Sequence, residues 1–278
     1  MEYQNISVKK VATHIGAEVS NVDLTQPITA EIFNELNHAL CENQVIFFRD
    51  QNITPQHHRD FAERFGKTQS HPAYPTVDGF PELTILENDE NNPSKIEKWH
   101  IDMTFMKRPP LGSILHGKSV PPVGGDTVWS SMYAAYEALS DHMQSFLSGL
   151  TAIHDFAFGF KESLAEPGGR ERLKQAILDN PPVEHPVIRT HPETGRKAIF
   201  VNCLFTREIK GMKHEESESL LNFLYHHAVK EEFACRFKWQ NNSIAFWDNR
   251  CTQHKPVNDY YPQYRKMQRI TVAGDVPV

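Results

Sequence analysis

The apolar runs of this chain are short, and that limits its fold more than any other feature. Val45-Ile46-Phe47-Phe48, Leu83-Thr84-Ile85-Leu86, Val187-Ile188-Arg189-Thr190, Ala198-Ile199-Phe200-Val201 and Ile244-Ala245-Phe246-Trp247 are closed off by polar, charged or proline residues. Runs of this length, rich in β-branched and aromatic residues, read as buried strands. Further strands are expected at 113–117, 127–129, 151–153, 233–238 and 269–273, and Thr194-Gly195 between two runs predicts a hairpin. Strands and helices do not alternate regularly, which favours an antiparallel, mainly β architecture decorated by helices. Its fitting closed form is a double-stranded β-helix, or jelly roll. No repeat, low-complexity segment or linker divides the chain, so one domain is expected over 1–278.

The helices have legible starts. Thr29 can cap a helix that places Ile32, Phe33, Leu36, Ala39 and Leu40 on one face. A second runs from Thr54-Pro55 to about Phe65, stopped by Gly66. Short helices are expected at 133–139 and 141–147, one more within the polar connection 156–180, and a long one at 215–230 with Leu220, Leu221, Leu224 and Ala228 inward. The stretch 87–98 is polar and reads as a loop, and His71-Pro72-Ala73-Tyr74-Pro75 is too proline-rich for regular structure.

Charge and cysteine usage narrow the partners. A net charge of −6 and the lack of a basic run argue against nucleic acid and anionic membranes. The start is polar, with no signal-peptide core, and no apolar run reaches membrane-spanning length. Four cysteines without a Cys-x-x-Cys pair read as free thiols in a reducing cytoplasm. A small molecule is the expected partner.

His100-Ile101-Asp102 carries the chemistry. In an extended chain residues i and i+2 face the same side, so one ion can take both. A second such pair, His58-Arg59-Asp60, falls on the helix after Pro55, where i and i+2 diverge; both residues are expected to be solvated. His254 is placed to give a third ligand, completing the two-His, one-carboxylate set of non-haem Fe(II) oxygenases. The chain holds no His-Glu-x-x-His, phosphate loop or dinucleotide fingerprint, and the remaining histidines show no ligand spacing. Arg265 and Arg269, four apart on a strand, face one side, and two buried guanidiniums call for anions.

These segments resemble the taurine dioxygenase (TauD/TfdA) family of Fe(II)/2-oxoglutarate-dependent dioxygenases along nearly the whole chain. The resemblance is carried by Val22-Asp23-Leu24-Thr25, Phe48-Arg49-Asp50-Gln51, His71 to Pro75, Trp99-His100-Ile101-Asp102, Gly124-Gly125-Asp126-Thr127, Trp247-Asp248-Asn249-Arg250 with Gln253-His254, and Arg265-Lys266-Met267-Gln268-Arg269 with Gly274-Asp275. It implies a jelly roll, Fe(II) on His100, Asp102 and His254, O2, and 2-oxoglutarate as co-substrate on Arg265 and Thr127. It makes Arg269 the clamp for a substrate sulfonate, with His71 donating a further hydrogen bond. Tyr74, Phe160 and Phe205 would wall the carbon chain, with Met103 beside it. It further implies a homo-oligomer, dimer or tetramer. The reaction expected is hydroxylation of taurine next to sulfur, releasing sulfite and aminoacetaldehyde with succinate and CO2. Ile96 and Met103 stand where the family pattern has asparagine and valine, which shifts weight toward another alkyl sulfonate, a sulfate ester or a small carboxylate. Trp247-Asp248-Asn249-Arg250 is expected to fix the strand that presents His254. The alternative from another class is a metal-binding jelly-roll module without oxygenase activity.

Overall fold

The computed structural model describes residues 2–71, 74–94 and 96–278. A nine-stranded sheet runs in the order Ser7–Lys10, Ala17–Ser20, Val45–Phe48, Ile244–Asp248, Pro110–Ser119, Arg265–Ala273, Phe80–Asn88, Thr76–Val77, with Thr68–Gln69 also paired to Arg265–Ala273. A three-stranded sheet, Ala234–Phe237, Thr127–Ser131 and Thr252–Pro256, faces it. Of the pairings described, only that of Ala17–Ser20 with Val45–Phe48 is parallel. The two sheets form the jelly roll as an open sandwich rather than a closed barrel.

Period-two alternation builds both faces of the large sheet. Along Ile244–Asp248, Ala245 and Trp247 point between the sheets, against Trp129, Cys235, Phe237 and Trp239. Phe47 and Phe237 stack there at 4.1 Å. Ile244 and Phe246 point outward, to Leu36, Ala39 and Leu40 of helix Ala30–Asn43 and to Phe61 and Ala62 of helix Pro55–Glu63. Each such side chain taken fully from water contributes about 1.5–3 kcal/mol. Thr29 and Thr54 cap these helices as expected.

Several expectations need correction. His58 is buried, not solvated: its Nε2 lies 3.1 Å from the Ile114 carbonyl, while Asp60 stays exposed. Burial pushes the His58 pKa down to about 3. Residues 156–180 hold four short helices, Phe156–Gly159, Lys161–Ala165, Gly169–Arg172 and Lys174–Asp179, rather than one. Gly168 and Gly169 interrupt the apolar period there. Unforeseen strands lie at Ser7–Lys10, Ala17–Ser20, Val183–Pro186, Thr206–Ile209 and Thr252–Pro256. The hairpin is present, Ile188–Thr190 pairing with Lys197–Ile199. The loop expected at 71–75 is described only in part, since Pro72 and Ala73 lie outside the described residues. Among the described residues no helix is long and apolar enough to cross a membrane.

Candidate active site

The site opens between the two sheets, where the chain returns from the large sheet to the small one. His100 and His254 form an isolated antiparallel bridge. The His100 amide donates to the His254 carbonyl at 3.0 Å, and the His254 amide to the His100 carbonyl at 2.9 Å. Directly opposed residues on one face bring their side chains together, and the two rings lie 4.1 Å apart. Asp102 follows two residues on. Its Oδ1 is 3.7 Å from His100 Nε2 and 4.0 Å from His254 Nε2. One atom from each of the three falls within 4.8 Å of the others, a spacing that one ion with bonds of roughly 2 Å can bridge. The extended strand expected through Asp102 is not there. Pairing ends at His100, Asp102 stands in a turn, and Met103 adopts the left-handed conformation (φ 51°), which costs on the order of 1 kcal/mol.

The donor chemistry fits a divalent ion. His100 Nδ1 is 2.8 Å from the Lys98 carbonyl, so it carries the proton and leaves the Nε2 lone pair free to ligate. The His254 ring packs 4.7 Å from Trp247 and stacks on Trp129. Burial pulls the pKa of both imidazoles down, that of His254 well below its usual value, which keeps them neutral. Burial alone would raise the Asp102 pKa, but Arg269, whose Nη1 donates to Oδ1 at 3.1 Å, and the Ser113 hydroxyl, which donates to Oδ2 at 2.8 Å, help to hold it well below the carboxylate range. Two neutral imidazoles and one carboxylate are the ligands Fe(II) prefers.

Arg265, Met267 and Arg269 share the inner face of strand Arg265–Ala273, as their spacing requires. Arg265 is 7% exposed, yet its Nε has no partner and it forms no ion pair among the described residues. Its guanidinium lies 5.7 Å from the Tyr260 ring. A buried cation left so is stabilised by a bound anion. Gly125 (φ 72°) permits the approach, since a Cβ there would stand 3.3 Å from Arg265 Cδ and Nε. Thr127 Oγ accepts from Trp239 Nε1 at 2.9 Å, which leaves its own O–H to donate into the cavity. These groups suit the distal carboxylate of a dicarboxylic acid.

A cavity of about 870 Å³ gathers the residues expected to hold metal, co-substrate and substrate: His71, Tyr74, His100, Asp102, Met103, Thr127, Phe160, Phe205, His254, Arg265 and Arg269 all line it. His71 is buried, with its ring 4.6 Å from Tyr74 and 6.3 Å from Phe160. Burial, with Arg269 nearby, pushes its pKa down to about 3, so it is neutral. Phe205 packs so closely on Gly159 that a Cβ there would meet its ring at 2.3 Å. Ile96 also lines the cavity. Leu173 and Leu204 join the wall, and neither was singled out from the sequence, where 156–180 read as a polar connection with one helix.

Ser113 escaped the sequence reading, and Asn249 was expected only to help fix the strand that presents His254. Trp247 packs on His254 as expected of its segment, but Asn249 reaches Asp102 instead, donating to the Asp102 carbonyl at 2.9 Å and accepting from its amide at 2.8 Å. A second buried group of ligand-type residues, His191, Asp248 and Cys251, is closed by Arg250, whose Nη2 lies 2.6 Å from Asp248 Oδ2.

The model of the family described as "Taurine catabolism dioxygenase TauD, TfdA family" matches residues 7–271. An alkylsulfatase of Acinetobacter baylyi is 36% identical over 98% of this chain and 86% of its own length. An alpha-ketoglutarate-dependent sulfate ester dioxygenase of Pseudomonas putida is 35% identical over 98% of this chain and 91% of its own. The crystal structure of a taurine dioxygenase from Burkholderia xenovorans superposes with a TM-score of 0.85 at 38% identity, covering 99% of this chain and 91% of that one.

Proposed function

Since the chain belongs to the TauD/TfdA family of dioxygenases, we propose that it is the Fe(II)- and 2-oxoglutarate-dependent enzyme that oxidises an organic sulfate ester or sulfonate with an apolar carbon chain. Fe(II) with 2-oxoglutarate and O2 supplies the oxidising power to hydroxylate a C–H bond, while 2-oxoglutarate becomes succinate and CO2. His100, Asp102 and His254 would hold the ion. Arg265 grips the distal carboxylate of 2-oxoglutarate through its forked donor face, with Thr127 adding a hydroxyl hydrogen bond. Arg269 holds the anionic head of the substrate. Its contact with Asp102 fixes how far that head, and the carbon attached to it, can stand from the metal face. A neutral His71 adds an N–H donor without a second charge. Phe160, Phe205, Tyr74 and Met103 exclude water around the chain.

Placing the hydroxyl on the carbon that bears the sulfate oxygen yields an aldehyde and inorganic sulfate. On the carbon that bears a sulfonate it yields an aldehyde and sulfite. Taurine is the polar extreme of this class, and its release products would be sulfite and aminoacetaldehyde. What favours an apolar chain over taurine is that most carboxylates of the cavity are already engaged. Among them, Asp102 pairs with Arg269, Glu87 with Lys266, Glu162 with Lys98 and Glu166 with Arg172, Asp89 accepts from two backbone amides, and the exposed Glu97 meets only the Asn258 side-chain amide at 3.4 Å among the described residues. Ile96 and Met103 add apolar surface in that space. The free thiols of all four cysteines support a reducing compartment such as the cytoplasm.

The test is succinate formation and released anion with hexyl sulfate, hexanesulfonate and taurine, each with Fe(II), 2-oxoglutarate and ascorbate. Hexyl sulfate or hexanesulfonate should give stoichiometric sulfate or sulfite, with kcat/KM above that of taurine. Taurine turning over best would restore the polar substrate. Succinate driven only by a small carboxylate such as an aryloxyalkanoate would remove the sulfur head group from the assignment.

A further inference from the structure

The arm that carries the carboxylate ligand leaves the sheet where placement matters most. His100 is fixed by two backbone bonds to His254, but the pairing stops there and Met103 turns left-handed. The peptide N–H and C=O of Asp102 therefore have no strand beside them, and one side chain takes both. Asn249 Oδ1 accepts from the Asp102 amide at 2.8 Å, and Asn249 Nδ2 donates to the Asp102 carbonyl at 2.9 Å and to that of Pro110 at 3.3 Å. A primary amide presents a donor beside an acceptor, as the edge of a strand does. Asn249 is buried, and its own amide donates to the Leu111 carbonyl at 2.8 Å. The turn beneath it is closed by Arg250 and His191 on the Asp248 carboxylate and by the Thr252 hydroxyl on the Asp248 carbonyl.

We propose that Asn249 is a positioning residue for the metal carboxylate: it replaces the missing strand, fixes the Asp102 backbone and so aims Oδ1, making metal affinity depend on an amide that never touches the ion. This rests on His100, Asp102 and His254 being the ligands. Two substitutions separate aim from charge. Asn249→Ala removes both hydrogen bonds. Asn249→Asp keeps the size and the acceptor for the Asp102 amide, but turns an oxygen toward two carbonyl oxygens. Its added negative charge alone would tighten a cation, whereas the lost donation loosens it.

The experiment titrates metal-stripped protein with Mn(II), reading free Mn(II) by electron paramagnetic resonance, and records thermal unfolding without metal. The variants are Asn249→Ala, Asn249→Asp, Thr252→Val and His100→Ala. Thr252→Val loosens the same turn without reaching Asp102. Both Asn249 variants should raise the Mn(II) Kd about 10–100-fold, the usual effect of removing a group that orients a ligand. Thr252→Val should lower the Tm and leave the Kd unchanged. Asn249→Asp binding Mn(II) as tightly as the wild type, or Thr252→Val losing affinity in step with Asn249→Ala, would overturn the proposal. Undiminished binding in His100→Ala would overturn the ligand assignment instead. Should Asn249→Ala not fold, the sign of the effect in Asn249→Asp decides.

Discussion

The two sides of the site are held in different ways. His254, Arg265 and Arg269 stand on strands whose backbones are paired with their neighbours. Losing one side chain there leaves the ladder intact. The arm 100–106 has a backbone partner at His100, and beyond it rests largely on side chains. Asn249 grips Asp102, His154 Nδ1 and Asn202 Nδ2 meet the Thr104 hydroxyl at 2.9 and 3.1 Å, and His185 Nε2 lies 2.9 and 3.0 Å from the Thr104 and Met106 carbonyls. A ladder is redundant, whereas the arm rests on a few side chains. Removing one partner leaves a buried polar group unsatisfied, at about 1–3 kcal/mol.

At the level of the ion the two sides should be equal. Asp102→Ala on the arm and His254→Ala on the strand are each expected to abolish 2-oxoglutarate-dependent succinate formation; turnover surviving in either variant would remove that residue from the ligand set. The strand side should then divide by anion. Arg269→Ala loses a charge-assisted hydrogen bond of about 1.5–3 kcal/mol, so the KM for the sulfate ester or sulfonate should rise roughly 10–100-fold while that for 2-oxoglutarate stays put. Arg265→Lys, which gives up the fork, should do the reverse. Equal shifts in both constants would undo the division of roles.

Stability should separate the sides further. Thr104→Val strips His154 and Asn202 of a shared partner and should cost about 1–3 kcal/mol in denaturant unfolding. Acid should act on the arm too. Burial holds His154 well below its usual value of 6.5 and lowers His185 as well. Their folded pKa values lie below the unfolded one, so the unfolded chain takes up protons first as pH falls. The stability they contribute is present above about pH 6.5 and is lost progressively below it. A Tm measured between pH 7 and 5.5 should fall, and His154→Gln should flatten that slope. On the strand side, Thr271 carries a buried hydroxyl with no partner among the described residues. Thr271→Val removes that unsatisfied group and should leave stability unchanged or raise it by up to about 1–3 kcal/mol. A large loss there, or none in Thr104→Val, would erase the contrast.

The same contrast explains what the sequence made legible. Where a backbone ladder and alternation do the holding, the residues announce it: Ala245 and Trp247 inward, Ile244 and Phe246 outward, Arg265 and Arg269 on one face. His-x-Asp could be picked over the second such pair because one copy sits on a helix. Where side chains replace the ladder, spacing carries no signal. Ser113 reaches Asp102 from eleven residues away and Asn249 from 147, and neither distance is written in a local pattern. Strand Thr252–Pro256 is polar and ends in proline, so its apolar count hides it, although Thr252, Gln253 and His254 are all buried. His58 was misjudged because periodicity ranks imidazole as polar, while a carbonyl of the neighbouring strand meets its Nε2 in the core.

The central claim, that His100, Asp102 and His254 with Arg265 and Thr127 form one Fe(II)/2-oxoglutarate centre, is tested most directly by visible absorption of the anaerobic protein. With Fe(II) and 2-oxoglutarate together, the wild type should show a weak charge-transfer band that neither component gives alone. The band should vanish in His100→Ala and need more 2-oxoglutarate in Arg265→Lys. No band in the wild type at saturating Fe(II) and 2-oxoglutarate, or a band undiminished in His100→Ala, would contradict the account.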